Sequence, residues 1–234
     1  MIPTIVYKSK DFVVINKPAG LIVHGAKYMK EKHKTLADWV LKNFPKTKNV
    51  GDFSKGEINY RPGIVHRLDK DTSGIMVIAL TQDYFEYLKN LFQKKEMTKT
   101  YLAILKGLPK FEKGVIDKPI GIKPGTTKRS VHSLKMSKEA VTQYEIVEKF
   151  KRDDQDFCLV KVRPLTGRTH QIRVHMAYLN TPVAGDVLYG GKTNANIAPR
   201  LMLHANYLEF STKKGERMRF EAPVPDDFAQ FLKK

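Results

Sequence analysis

The chain has 234 residues, long for one ordinary domain and short for two, and its 41% of hydrophobic residues is ample for a single core. Its 42 Lys and Arg against 24 Asp and Glu give a formal charge of +18 and a pI near 9.8, a field that attracts a polyanion, although a lysine-rich solvated surface would give the same total. The lone cysteine, Cys158, excludes an internal disulfide framework and a cysteine-rich metal cage, and no stretch has the apolar length of a membrane span or of a secretory leader, so a cytoplasmic protein is expected.

Along the chain, the first β-branched run, FVVIN at 12–16, predicts a strand. Lysines crowd 27–55 (Lys27, Lys30, Lys32, Lys34, Lys42, Lys46, Lys48 and Lys55). Within that stretch Thr35 and Asp38 have the spacing of a capping box. They predict a helix with Leu36, Trp39 and Val40 on one stripe, ending before Pro45. After the Pro62-Gly63 turn and a dense polar segment comes a second strand, IMVIAL at 75–80. A helix from Thr81 follows, with Tyr84, Phe85, Leu88, Leu91 and Phe92 on one face, Asp83 in its first turn and Lys94 and Lys95 in its last. TYLAIL at 100–105, YEIV at 144–147 and CLVKV at 158–162 predict further strands, so Cys158 reads as a buried strand thiol.

Between them, 118–138 holds Lys118, Lys123, Lys128, Arg129, Lys135 and Lys138 without one acid, broken by prolines and glycines. This predicts an exposed basic loop or ribbon, suited to gripping phosphates. A last helix is expected from about Thr169 to Asn180, ended by Pro182. Strands outnumber helices and do not alternate with them, which predicts an α+β fold in one domain, 1–234.

The segment RPGIVHRLDKDTSGIMVIAL packs polar residues between a Pro-Gly turn and a buried strand, with Gly63 and Gly74 permitting tight geometry on either side. Such a loop can present Asp69 at a sheet edge, although a turn with local salt bridges has the same composition. A second dense segment, RPLTGRTHQIRVHMAYLNTPVAGDVLYGG, carries Arg173, whose guanidinium could pair with Asp69 in a planar two-bond geometry and keep it ionised. His66, Asp69, His170, His175 and Asp186 are tempting metal ligands, but His170 and His175 are five apart and turn to different helix faces, so no metal is expected. Ser73 lacks the GxSxG elbow of a serine hydrolase.

Taken in order, VVINKPAGLIVH, HRLDKDTSG, KTYLAILKG, PLTGRTHQIRVHMAYLNTPVAGDVLYGG and LMLHANYLEF, closing with FEAPVPDDF, closely resemble the RluA-type RNA pseudouridine synthases across nearly the whole chain. The resemblance implies a largely antiparallel twisted sheet flanked by helices, working without metal or organic cofactor on structured ribosomal or transfer RNA; a monomer is expected. It assigns Asp69 as the catalytic aspartate, Tyr101 as the active-site tyrosine, Arg173 as the carboxylate-pairing arginine, and Leu203 as an apolar residue lining the uracil pocket. Arg67 and Arg168 become candidates for gripping the substrate, and Lys123, Lys128 and Arg129 for binding RNA. In such enzymes the aspartate attacks ribose C1′, takes a proton from C2′, or adds to uracil C6, and the motifs do not choose among these. Many relatives carry an S4-type RNA-binding domain ahead of the catalytic one. Here the first strand begins almost at Met1, so target selection is expected to rest on the catalytic domain or on another protein. Two other readings stay open: an RNA-gripping module whose chemistry is secondary, and a glycosylase or hydrolase that uses Asp69 with water.

Overall fold

Each apolar run read as a strand is one in the computed structural model, which describes residues 1–25, 34–54, 57–194 and 196–233. In chain order come β1 (Thr4–Lys8), β2 (Phe12–Lys17), α1 (Leu36–Asn43), β3 (Ser73–Ala79) and α2 (Gln82–Gln93). Then follow β4 (Thr98–Lys106), β5 (Lys113–Asp117), β6 (Gly121–Ile122), β7 (Arg129–Ser130), β8 (Val141–Arg152), β9 (Gln155–Pro164) and α3 (Gln171–Tyr178). The last elements are β10 (Leu203–Ser211), β11 (Arg217–Glu221) and α4 (Asp226–Leu232). The chain forms two compact units, Met1–Thr98 with Ala205–Pro223 and Lys99–His204 with Val224–Lys234.

In the first unit β1 pairs antiparallel with β2, and β2 with β3. From Ala205 on, β10 lies beside β3, and β11 pairs antiparallel with it. Every side chain of β3 is buried, so its sequence is a continuous apolar run rather than an alternation. Phe12 stacks on Tyr84 with centroids 5.1 Å apart and meets Phe210 edge-on at 5.5 Å, forming the aromatic centre of this core.

α2 packs its buried Tyr84, Phe85, Leu88 and Leu91 toward β3, and Thr81 caps it by accepting from the Tyr84 amide. Lys94 and Lys95 are not in its last turn. Lys94 is the C-cap, and Lys95 turns left-handed so that its own amide reaches Phe92 and the Glu96 amide reaches Leu91, a Schellman closure. The predicted capping box is present at α1, where Asp38 receives the Thr35 amide at 2.8 Å and Thr35 the Asp38 amide at 3.2 Å. Leu36 and Val40 are fully buried there, whereas Trp39 is half-buried against the edge of Phe44. Of the lysine-rich stretch, Lys34, Lys42, Lys46 and Lys48 are exposed; Lys27, Lys30, Lys32 and Lys55 lie outside the described residues.

In the second unit the strand order is β4-β9-β8-β5, all antiparallel. α3 packs on β8 and β9. Gln171 through Met176 are all buried, so α3 has no polar stripe, and it is shorter than the span read from its flanking residues. β6 and β7 form the basic ribbon expected at 118–138. α4 adds Phe228 and Phe231 to the core and is fastened where Arg200 grips Asp227 through two bonds of 2.6 and 2.8 Å. Both units combine antiparallel strands with packed helices, as an α+β fold requires. No helix among the described residues is long and apolar enough to cross a membrane.

Candidate active site

Asp69 is half-buried in the loop that leads into β3, next to the buried Leu68 and the exposed Arg67. At the two ends of this segment Gly63 and Gly74 have φ of +67° and +120°. A side chain on Gly74 would put its Cβ 2.2 Å from the Ala205 carbonyl oxygen, so the backbone approach there requires glycine. Inside the loop, His66 Nε2 accepts the Val77 amide at 3.0 Å and its ring stacks on Phe92 at 4.6 Å. Because Nε2 is the acceptor, the ring proton sits on Nδ1 and His66 is neutral.

The other side of the loop is held by a lysine to which sequence reading gave no role. Lys17, in the NKPAG motif, is fully buried, and its ammonium donates to the carbonyls of Pro18 at 2.9 Å, Leu21 at 2.9 Å and Lys70 at 3.0 Å. These match its three N–H donors, which is how a buried cation is tolerated. The Lys70 carbonyl also accepts the Gly20 amide at 2.8 Å, and the Thr72 amide turns back onto the Asp69 carbonyl at 3.2 Å. Asp69 is therefore flanked by backbone fixed to β2, to β3 and to the Pro18–Leu21 turn.

Arg173, in the second unit, is buried on α3. Its Nε and one terminal nitrogen donate to the two carboxylate oxygens of Asp186 at 2.7 and 2.8 Å. Asp186, which sequence reading raised only as a metal ligand, is thus an ion-pair partner of the arginine. It also accepts the amides of Leu188 and Tyr189, closing a tight turn. The Tyr189 ring lies 5.2 Å from the guanidinium carbon, a cation–π contact, while its hydroxyl meets His170 Nδ1 at 2.8 Å and accepts the Arg129 amide at 3.1 Å. One tyrosine therefore touches the catalytic candidate on α3, the residue that caps α3, and the basic ribbon. His170 is not a member of the helix, as the span from about Thr169 implied, because it precedes α3 in a left-handed conformation with φ of 57°.

The remaining candidates fall at separate places in this unit. Tyr101 sits on β4 opposite Val162, half-buried against the core, and Leu203 is buried at the start of β10. Arg168 is half-buried and its Nε donates to the Glu139 carbonyl at 2.8 Å, so it has a structural partner. Lys123 and Lys128 are exposed on the ribbon; Arg129 is half-buried, and its Nε has no hydrogen-bond partner among the described residues. Lys99, beside the TGRTH loop and 4.0 Å from where a Cβ on Gly167 would stand, has its pKa lowered by burial.

Several other groups have commitments that leave little for metal or nucleophile chemistry. His175 joins the Thr142 hydroxyl at 2.8 Å and the Lys118 carbonyl at 3.0 Å, so both its ring nitrogens are engaged. Burial pushes the Cys158 thiol up to about 12, far from a reactive thiolate. Among the described residues no group of three or more His, Cys, Asp or Glu is placed to hold a metal ion.

A sequence model of the family described as RNA pseudouridylate synthase matches residues 11–178. An uncharacterized RNA pseudouridine synthase of Bacillus subtilis is 38% identical over 97% of this chain and 71% of its own. The ribosomal large subunit pseudouridine synthase D of Vibrio cholerae is 40% identical over 97% of this chain and 68% of its own. Two solved human structures are similar in fold. RNA pseudouridylate synthase domain containing 1 has a TM-score of 0.76 at 29% identity, covering 95% of this chain and 84% of that one. RNA pseudouridylate synthase domain containing 4 has a TM-score of 0.74 at 27% identity, covering 97% and 91%.

Proposed function

The chain belongs to the RNA pseudouridylate synthase family and is an isomerase acting on RNA, and on that premise we propose that Asp69 is the carboxylate that rearranges the target uridine. The reaction breaks the N1–C1′ bond, turns the base over and joins C5 to C1′. C5 loses its proton and N1 carries one in the product, so atoms and electrons balance within the nucleotide and neither an oxidant nor a transferred group is needed. Asp69 acts at C1′, C2′ or C6, and each route requires an ionised carboxylate held in place. The observation that carries the reading is the fixed backbone around Asp69, where Lys17 and Gly20 hold the next carbonyl and His66 ties the loop to β3.

Arg173 is assigned the role of carboxylate-pairing arginine by its place in the HQIR motif. A guanidinium suits that role because it presents its donors in a planar fork, and here Asp186 receives two of them and fixes its orientation. Tyr101 packs on the uracil and keeps out water that would hydrolyse an opened sugar, and Leu203 lines the base pocket. The target is flipped out of its stack or already unpaired, since a paired base cannot reach an enclosed carboxylate. Arg67, exposed beside Asp69, fills the gap left in the stack or grips the adjacent phosphate; Arg168, Lys123, Lys128 and Arg129 supply further positive charge along the RNA.

The substrate is ribosomal RNA, because relatives at 36–40% identity are named as large-subunit synthases, with transfer RNA as the alternative. The protein works as a cytoplasmic monomer without metal or cofactor. Pseudouridine mapping across all cellular RNA, with and without the gene, tests this. Sites in ribosomal RNA that vanish with the gene support the reading. Sites confined to transfer RNA change the substrate, and no lost site overturns it.

A further inference from the structure

The basic ribbon carries more than charge. Leu134 is 92% exposed, more than any other large apolar side chain among the described residues, and Met136 two positions on is 67% exposed. Both sit on a turn that is firmly fastened. Ile120 and Lys138 exchange both backbone hydrogen bonds, at 2.9 and 3.1 Å, and the Ile122 amide donates to the Lys135 carbonyl at 2.8 Å. The buried Ser133 hydroxyl donates to the Ile122 carbonyl, and the Ser137 amide closes on Leu134 at 3.2 Å. The strand beneath lies so close that a Cβ on Gly121 would stand 2.2 Å from the Ser133 carbonyl oxygen. Met136 adopts a left-handed φ of 49°, a conformation disfavoured for a methionine, which the surrounding bonds impose. A small core of Ile120, Ala140 and Val174 lies in the same region, yet neither Leu134 nor Met136 turns into it.

We propose that the crest formed by Leu134 and Met136 is a contact surface for unpaired RNA nucleotides, with the lysines around it gripping the flanking phosphates. This rests on the RNA reading above and adds a base-contacting element to it. The charge complementarity is local: six cations and no acid between 118 and 138. Exposed rings stand nearby, His132 and Tyr178 with centroids 6.2 Å apart and Tyr178 38% exposed. Apolar side chains wedge between or pack on bases only where those bases are unstacked, whereas lysines bind phosphate on any strand. Leu134 and Met136 therefore distinguish a looped RNA from a continuous duplex.

That division of labour can be read from salt dependence, because counterion release sets the slope of affinity against salt and apolar contact does not. The probes are a stem-loop RNA with a uridine-rich loop and the same stem extended as a continuous duplex, titrated by fluorescence anisotropy over a salt series. Leu134→Ser with Met136→Ser is expected to weaken stem-loop binding roughly ten-fold at every salt concentration, with slope and duplex affinity unchanged. Leu134→Phe, which restores a large apolar face, is expected to keep stem-loop affinity at or above that of the wild type. Both positions are exposed, and thermal melting of each variant checks that the fold is retained.

Equal loss on both RNAs, or no loss on either, overturns the proposal while leaving the RNA reading intact. Wild-type protein that binds neither RNA overturns both. The same side chains would also suit an anionic lipid surface. Loss of sedimentation with phosphatidylserine vesicles in the double Ser variant, with stem-loop binding untouched, assigns the crest to membrane and overturns the RNA assignment.

Discussion

The ammonium of Lys17 donates at 3.0 Å to the carbonyl of Lys70, the residue immediately after Asp69. The two lysines are 53 positions apart, so the NKPAG and HRLDKDTSG motifs meet through this bond. Substituting Lys17→Met keeps the stem's volume but leaves the Pro18, Leu21 and Lys70 carbonyls short of a donor. The loss is expected to cost about 2 kcal/mol or more by urea denaturation, and turnover should fall at least ~10-fold with RNA affinity retained. A Lys17→Met enzyme with wild-type turnover would show that the loop does not need this clamp.

A buried ion pair makes a sharper demand on stability. Arg173 and Asp186 are both buried, and Asp186→Ala strands a guanidinium away from water. The expected destabilisation is about 3–5 kcal/mol, larger than for any exposed pair in this chain. Asp186→Asn preserves the shape and is expected to cost less stability yet still lower turnover, since an amide nitrogen faces one of the arginine donors. Denaturation and single-turnover rates on the two variants check this. Unchanged turnover in Asp186→Asn would remove Asp186 from the positioning of Arg173.

Acid sensitivity follows from the buried histidine on α3. Burial lowers the pKa of His175 below its ordinary 6.5, so the folded protein holds it neutral while the unfolded chain takes up a proton. Its contribution to stability is therefore complete above 6.5 and is lost as pH falls from there toward the folded value. His24 is shifted the same way, first by burial and then by Arg61 and Arg67. The melting temperature is expected to drop between pH 7 and pH 5, and the drop should shrink in His175→Asn. A melting curve equally steep in that variant would place the sensitivity elsewhere.

The ribbon lysines make a prediction of opposite character to that for Leu134. Lys123→Gln with Lys128→Gln is expected to weaken binding to every RNA alike and to reduce the salt slope by roughly one to two. Arg129 is a poorer probe, because its amide is tied to Tyr189 and its Nε is buried. An unchanged slope would make the ribbon a merely solvated one.

The parts of the fold that were legible in the sequence are those where one local signal decides. The β-branched runs at β2, β3, β4, β8 and β9, the stripe of α2 and the Thr35–Asp38 capping box need only neighbours in sequence. The bounds of α3 were harder to read, because a helix buried on nearly every side offers no period to follow. Among the candidate residues, Asp69, Tyr101 and Arg173 stood out through ordered motifs, not through any property of their own. Lys17 and Asp186 did not, for a physical reason. A lysine reads as solvated and an aspartate as a ligand until the fold brings three carbonyls to one and a guanidinium to the other.

Whether Asp69 drives uridine isomerisation is decided by incubating purified protein with total RNA from cells that lack the gene. Wild-type protein is expected to form pseudouridine at one or a few sites, and Asp69→Ala to form none while binding the same RNA with comparable affinity. Pseudouridine formed by Asp69→Ala at the wild-type rate, or none formed by the wild type on any cellular RNA, would contradict it.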